Sequence, residues 1–227
     1  MIPLRDNNPT TIRPIITVSL IVACGVIFLW ELSLGERGQQ AIFLSLGVTP
    51  ATLVGTENLP ATFYLIPPWA TVLTSMFLHG GWMHLIGNML YLWIFGNNVE
   101  DAMGHFRYIL FYVSCGTAAA LAQAIPSPDS TIPMIGASGA ISGVLGAYLL
   151  LHPRAQVLVW IPLGFYSRMV HLPAFIVLGF WFVLQLINTA LAPSTGGGVA
   201  WGAHIGGFVA GMVLIPFFKN RRARLFS

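Results

Sequence analysis

The chain has 227 residues, 56% of them hydrophobic and only 7% charged, where an ordinary soluble domain is about a quarter charged. With a mean hydropathy of +0.78, this excludes a large-cored soluble protein and points to a polytopic membrane protein. The net charge of +3 is modest, and what it conveys lies in its placement.

A helix needs roughly 20 apolar residues to cross about 30 Å of hydrocarbon, and a few fewer suffice when flanking side chains snorkel. Residues 1–14 read as a short terminus before the first span, about Ile15 to Trp30. That run lacks the short apolar core and small-residue cleavage site of a removed signal peptide, so a retained anchor is expected. The long connection from Ser33 to Leu78 carries an amphipathic stretch, Ala41 to Val54, and then Pro60, Pro67 and Pro68. A loop of that length usually has a task, and this one is expected to lie along the membrane surface. The second span runs from Met83 to Val99, the third from Tyr108 to Ile125, and the fourth from Ser138 to His152. Val157 to Phe165 is apolar but too short to span, and Pro162 and Gly164 interrupt it, so it reads as an interfacial loop. The fifth span is Leu172 to Ala192 and the sixth His204 to Phe218, followed by a basic tail over 219–227. Cys24 and Cys115 lie inside hydrophobic stretches, far from any CxxC spacing, and read as small buried residues. The expectation is an all-α, six-span bundle forming one domain over 1–227.

Charge sets the expected sidedness. With the amino terminus inside and six spans, Arg5, Arg13, Arg107, Arg154, Arg168, Lys219, Arg221, Arg222 and Arg224 all fall inside. Only Arg37 is left outside, so nine of the ten basic residues obey the positive-inside rule. Glu36, Glu57 and Asp129 then lie outside. Both termini are expected to be cytoplasmic, and the tail is a topology anchor that touches anionic lipid, not nucleic acid.

This orientation starts spans two, four and six at the outer face, where they carry His84, Ser138 and His204. The fourth span is only about 22 Å long at 1.5 Å per residue. Ser138 should therefore lie below the outer interface, with the loop Pro126 to Gly136 dipping in to meet it. A serine hydroxyl needs a base, and His204 is the natural one. Gly207 and Gly211 follow His204, and Gly139, Gly143 and Gly146 follow Ser138. Glycine-faced helices can approach closely in a membrane, which would bring the two side chains within about 3 Å. His84 and Asn88 share one face of the second span and can donate to a developing oxyanion. So can the free amides where Ser138 opens its helix, and Gly87 is expected to allow close packing there. No carboxylate is placed to orient His204, so a dyad is favoured over a triad.

Each element alone has a packing explanation. Their coincidence at one depth on three helices makes a site the better reading, since polar groups inside a membrane are costly. His79 with His84 could suggest a metal, but no HExxH or carboxylate set accompanies them, and no cofactor is expected. A small transporter would show paired charges deep in the spans or an inverted repeat, and neither is visible.

The motifs His79, His84-x-x-x-Asn88, Gly96-x-x-x-Glu100-x-x-x-Gly104, Gly136-Ala137-Ser138-Gly139 and Ala203-His204-x-x-Gly207-x-x-x-Gly211 occur in that order. Over about Trp69 to Ile215 the chain resembles the bacterial rhomboid intramembrane serine proteases. The resemblance implies an enzyme of the bacterial inner membrane that cleaves transmembrane segments of other proteins. It makes Ser138 the nucleophile and His204 the base, with His84, Asn88 and the Ser138 amide forming an oxyanion hole. Glu100, Gly136, Gly139, Gly207 and Gly211 become structural residues. The rival within the resemblance is a catalytically inactive, membrane-protein-binding relative, which typically loses the serine or histidine or has proline where this chain has Ala137. Two departures stand out: Ala70-Thr71 replaces a common Trp-Arg pair, and Ser142 replaces a tyrosine that stacks on the histidine in some relatives. The loop Pro193 to Ala203 is the expected moving part, with Trp201 as a plug.

Overall fold

A computed structural model describes residues 1–55, 60, 63–163, 166–191 and 199–226. In chain order these form β1 (Ile2–Asp6), α1 (Ile15–Ser33), α2 (Gly35–Leu46), α3 (Pro50–Leu53) and α4 (Pro68–Thr74), the last continued by a 3-10 turn, Ser75–Phe77. Then follow α5 (Trp82–Met103), α6 (His105–Ala124), α7 (Ser138–Leu151), the strands β2 (Gln156–Leu163) and β3 (Tyr166–Pro173), α8 (Ala174–Leu191) and α9 (Trp201–Phe218). The six long helices fall within a few residues of the expected spans. By length and composition, α1, α8 and α9 can each cross a membrane, and α7 is a shorter apolar helix. The chain is a multi-pass membrane protein.

α5 and α6 are long enough, at 22 and 20 residues, but α5 spends its polarity on structure. Glu100, fully buried, accepts the backbone N–H groups of Ile16 and Thr17 at 2.9 and 2.8 Å and the Thr17 hydroxyl at 2.7 Å. These are first-turn donors of α1, which its N-cap Pro14 cannot satisfy with a side chain. His105 Nδ1 adds a fourth contact at 2.6 Å. Asp101 holds Thr11 and Ile12 in the same way. Gly104 makes the turn from α5 to α6 with φ +77°, a conformation that favours glycine.

The expectation of an all-helical chain is corrected at this end of the bundle, because β1, β2 and β3 form an antiparallel sheet in that order. The segment Val157 to Phe165, read as an interfacial loop, is largely strand β2; residues 164 and 165 lie outside the described residues. Val157 and Val159 are fully buried against the bundle core, the alternation a one-sided strand requires. β1 reaches only as far as Trp160. Pro162 lies beyond it, where β2 has β3 as its sole partner, so its missing N–H interrupts no ladder on the other side. Asn7 and Gln156 exchange hydrogen bonds at 2.9 and 3.0 Å, and the Tyr148 hydroxyl of α7 donates to Asp6 Oδ2 at 2.6 Å.

α7 is central, with ten of its 14 residues buried, whereas α8 buries four of 18. At the opposite end from the sheet, the first loop is stitched to the loop that precedes α7. Val48 and Met134 pair as an isolated bridge, Ala51 N–H donates to Ser130 O at 3.0 Å, and Thr74 Oγ1 donates to Leu46 O at 2.7 Å. These bonds anchor the first loop in a chain that lacks the Trp-Arg pair. Glu57, expected outside, lies outside the described residues.

Candidate active site

Three glycine contacts fix the distance between α7 and α9. A Cβ on Gly207 would collide with the carbonyl of Gly139, one on Gly211 with the carbonyl of Gly143, and one on Gly146 with the carbonyl of Phe208. The helices therefore meet backbone to backbone, as small-residue seams in membranes allow. Their first turns are brought together in consequence. His204 lies in the first turn of α9, and its Nε2 is 2.8 Å from Ser138 Oγ. Ser138 is the first residue of α7, so its own amide is among those without an intrahelical partner.

The entry to α7 is shaped by Gly136, which has φ +119° and donates its N–H to Ser75 O at 2.8 Å. A Cβ there would sit 2.6 Å from His84 Nε2 and 3.7 Å from Asn88 Nδ2. Glycine thus seats the loop backbone directly against both side chains. His84 Nδ1 accepts the Gly80 N–H at 3.3 Å, which leaves Nε2 to carry the proton of a neutral ring. Asn88 Nδ2 is buried and has no hydrogen-bond partner among the described residues. Two donors are thereby available beside the serine.

His84, Asn88, Ser138 and His204 all line one cavity of about 1160 Å³. Its other walls come from Met83, Gly87 and Tyr91 of α5, Trp181, Gln185 and Thr189 of α8, and the loop from Pro126 to Ile135. The loop does meet the serine, as the shortness of the fourth span suggested. Gly87 departs from expectation: a Cβ there would meet nothing within 4 Å, because it faces the cavity and not a helix. His79 is buried at 1% exposure and its Nδ1 lies 3.1 Å from Phe77 O. Its ring touches that of His84, but it does not line the cavity. Glu100 is at the other end of α5, with the partners given above. Of the expected moving loop, residues 193–198 lie outside the described residues, and Trp201 is the first residue of α9.

Residues 67–221 match the rhomboid domain family model. The chain belongs to the rhomboid family. It is 34% identical over 145 residues to "Rhomboid protease GluP" of Bacillus subtilis (strain 168), covering 63% of this chain and 25% of that protein. It is 26% identical over 163 residues to "Rhomboid-like protein 11, chloroplastic" of Arabidopsis thaliana, covering 67% and 54%. It is 29% identical over 152 residues to "Rhomboid protein 1, mitochondrial" of Saccharomyces cerevisiae (strain ATCC 204508 / S288c), covering 63% and 40%. The chain thus spans between a quarter and about half of the length of these rhomboid relatives.

The group beside His204 Nδ1 is an amide, where the sequence offered no carboxylate. Gln185 Oε1 lies 2.9 Å from His204 Nδ1, within the bundle. The ring is also flanked by aromatics. Trp181 lies 6.0 Å away between centroids at 33°, and Trp201 meets it edge-on at 5.8 Å. These three occupy the role for which Ser142 is too small; its hydroxyl instead donates to Ser138 O at 2.6 Å. The sequence carried a signal for Gln185, since it is one of two amides, with Asn188, in the most apolar of the late spans, one helical turn after Trp181.

Proposed function

We propose that this chain is an intramembrane serine endopeptidase that cleaves transmembrane segments of other membrane proteins, with Ser138 as nucleophile and His204 as general base. The observation that carries it is the 2.8 Å contact between Ser138 Oγ and His204 Nε2 inside a cavity open to both side chains and large enough for substrate and water.

In this reading an unwound stretch of substrate reaches Ser138 between α5 and α8, whose residues line the cavity. As Ser138 Oγ bonds to the scissile carbonyl carbon, its proton passes to His204 Nε2. The carbonyl oxygen takes up negative charge against Asn88 Nδ2, His84 Nε2 and the Ser138 amide. In a site poor in water such donors act at close to full strength, and one of them is worth about 10²–10³ in rate. The C–N bond then breaks, the leaving amine takes the proton from His204, and water repeats the sequence on the acyl-enzyme. No step calls for a metal or cofactor.

The proposed setting is a single domain over 1–227 in a bacterial inner membrane. α1, α5, α6, α7, α8 and α9 each cross it, and both termini are cytoplasmic. The sheet supports this count. β1 and β2 pair, so they share one side, and with α1 and α7 both crossing, α5 and α6 must cross together.

The test is labelling of detergent-solubilised protein by a fluorophosphonate, beside cleavage of a single-span reporter. Wild type should label and yield a product with a new terminus inside the reporter's apolar stretch. Ser138→Ala and His204→Ala should do neither. Labelling that persists in Ser138→Ala would mean another nucleophile. A wild type that neither labels nor cleaves would favour an inactive, membrane-protein-binding role.

A further inference from the structure

We infer that Gln185 is a positioning residue for this site, and that its amide sets the tautomer of His204. The inference rests on the reading of Ser138 and His204 as the reacting pair. Gln185 lies on α8, a helix turned mostly outward. Its neighbours Leu184 and Leu186 are 37% and 44% exposed, whereas Gln185 itself is 5% exposed. A primary amide in such a helix is costly unless both of its ends are satisfied, and both are.

The two ends determine which way the amide faces. Gln185 Nε2 donates to the carbonyl of Trp181 at 3.0 Å, one turn back along α8. That commits Oε1 to the 2.9 Å contact with His204 Nδ1, so Nδ1 carries the ring proton and donates it. Nε2 is then a bare lone pair aimed at the Ser138 hydroxyl. The reverse orientation fails at both ends. It would set Gln185 Oε1 against the Trp181 carbonyl, acceptor to acceptor. It would also turn Nδ1 into an acceptor, leaving the proton on Nε2, where it could not take one from serine. Trp181 reinforces the arrangement twice, holding the amide by its carbonyl and flanking the imidazole with its ring.

During attack the Ser138 proton moves to His204 Nε2, and the Nδ1 proton stays in its bond to Gln185 Oε1. Nothing is transferred to the amide, which only orients the ring and stabilises the imidazolium through its dipole. This is the part a carboxylate plays in serine hydrolase triads. A neutral amide fills it without leaving an unpaired negative charge beside lipid during the resting state.

The experiment compares wild type with Gln185→Leu, which removes the acceptor at similar volume, and Gln185→Glu, which keeps one. Loss of a hydrogen bond to a charged ring predicts that Gln185→Leu loses about 10- to 100-fold in the maximal phosphonylation rate and in kcat. Probe KI and reporter KM should stay near wild type, and Gln185→Glu should recover most of the rate. Equal losses in both variants, or losses confined to KM, would assign Gln185 to packing alone and overturn the inference. So would a Gln185→Leu variant as fast as wild type. Nitrogen-15 NMR of histidine-labelled wild type, with His204→Asn for assignment, reads the tautomer directly and needs no folded variant at position 185. A neutral His204 protonated at Nδ1 is expected, and protonation at Nε2 overturns the inference. Labelling that survives Ser138→Ala would instead refute the reading of the reacting pair and leave the tautomer result standing on its own.

Discussion

α7 and α8 both flank α9, yet α7 meets it backbone to backbone through glycines, whereas α8 meets it only through side chains. Phe182 of α8 stacks on Phe208 at 4.6 Å, Trp181 follows at 5.9 Å, and Gln185 reaches His204. The first contact sets a distance, that between hydroxyl and imidazole, and it leaves no slack. The second sets an orientation through groups with rotatable bonds. In a bilayer, where apolar burial supplies no net drive between helices, close backbone packing is what holds a bundle together. Ser138 and His204 are therefore held together by a backbone-to-backbone seam. Gln185, which lies against His204, sits on a helix with only four of its 18 residues buried.

The comparison breaks most readily at the seam. Gly211→Leu would drive a side chain into the Gly143 carbonyl, which cannot yield as a flexible side chain can. Overpacking of backbone is expected to cost more than about 3 kcal/mol, read as loss of a monodisperse, cooperatively melting species in detergent. Asn88→Ala should separate chemistry from stability. Its Nδ2 bonds nothing among the described residues, so the melting temperature should hold while kcat falls by about 10²–10³. Phe182→Ala removes one stacked ring, worth about 0.5–1.5 kcal/mol, and should lower reporter turnover while the melt moves only slightly. The smallest effect is expected from Gly179→Ala. On α8 its Cβ would meet nothing within 4 Å, so activity should be unchanged and stability should rise by up to about 1 kcal/mol from helix propensity. If Gly179→Ala were as damaging as Gly211→Leu, the contrast between the two helices would be wrong.

Much of this architecture is legible in the residues. Apolar runs mark the six long helices, and glycines spaced after Ser138 and His204 foretell a close seam. The features that escaped depend on partners distant in sequence. β1 is a strand only because β2 lies beside it, and nothing local in Ile2–Asp6 announces that pairing. The segment Val157 to Phe165 was too short for a span, and Pro162 and Gly164 interrupt it, so it read as a loop. Only the limited reach of β1 makes Pro162 harmless. Gln185 was visible but read as part of an apolar span, since a search for an orienting group looked for a carboxylate. Gly87 shows the opposite error: glycine beside two polar residues suggested packing, and it borders open space instead.

The pairing of Asn7 with Gln156 joins positions 149 apart. At roughly 5–20 residues per second of synthesis, the amino terminus waits about seven to thirty seconds for its partner. Meanwhile α1, α5, α6 and α7 must all be made and delivered, with the hairpin returned to the face where the chain began. In the proposed six-span arrangement, a molecule with one of these helices left uninserted has its β1 and β2 on opposite sides of the lipid and cannot zip them. The small sheet then acts as a parity check on threading, closing when an even number of those four helices has crossed.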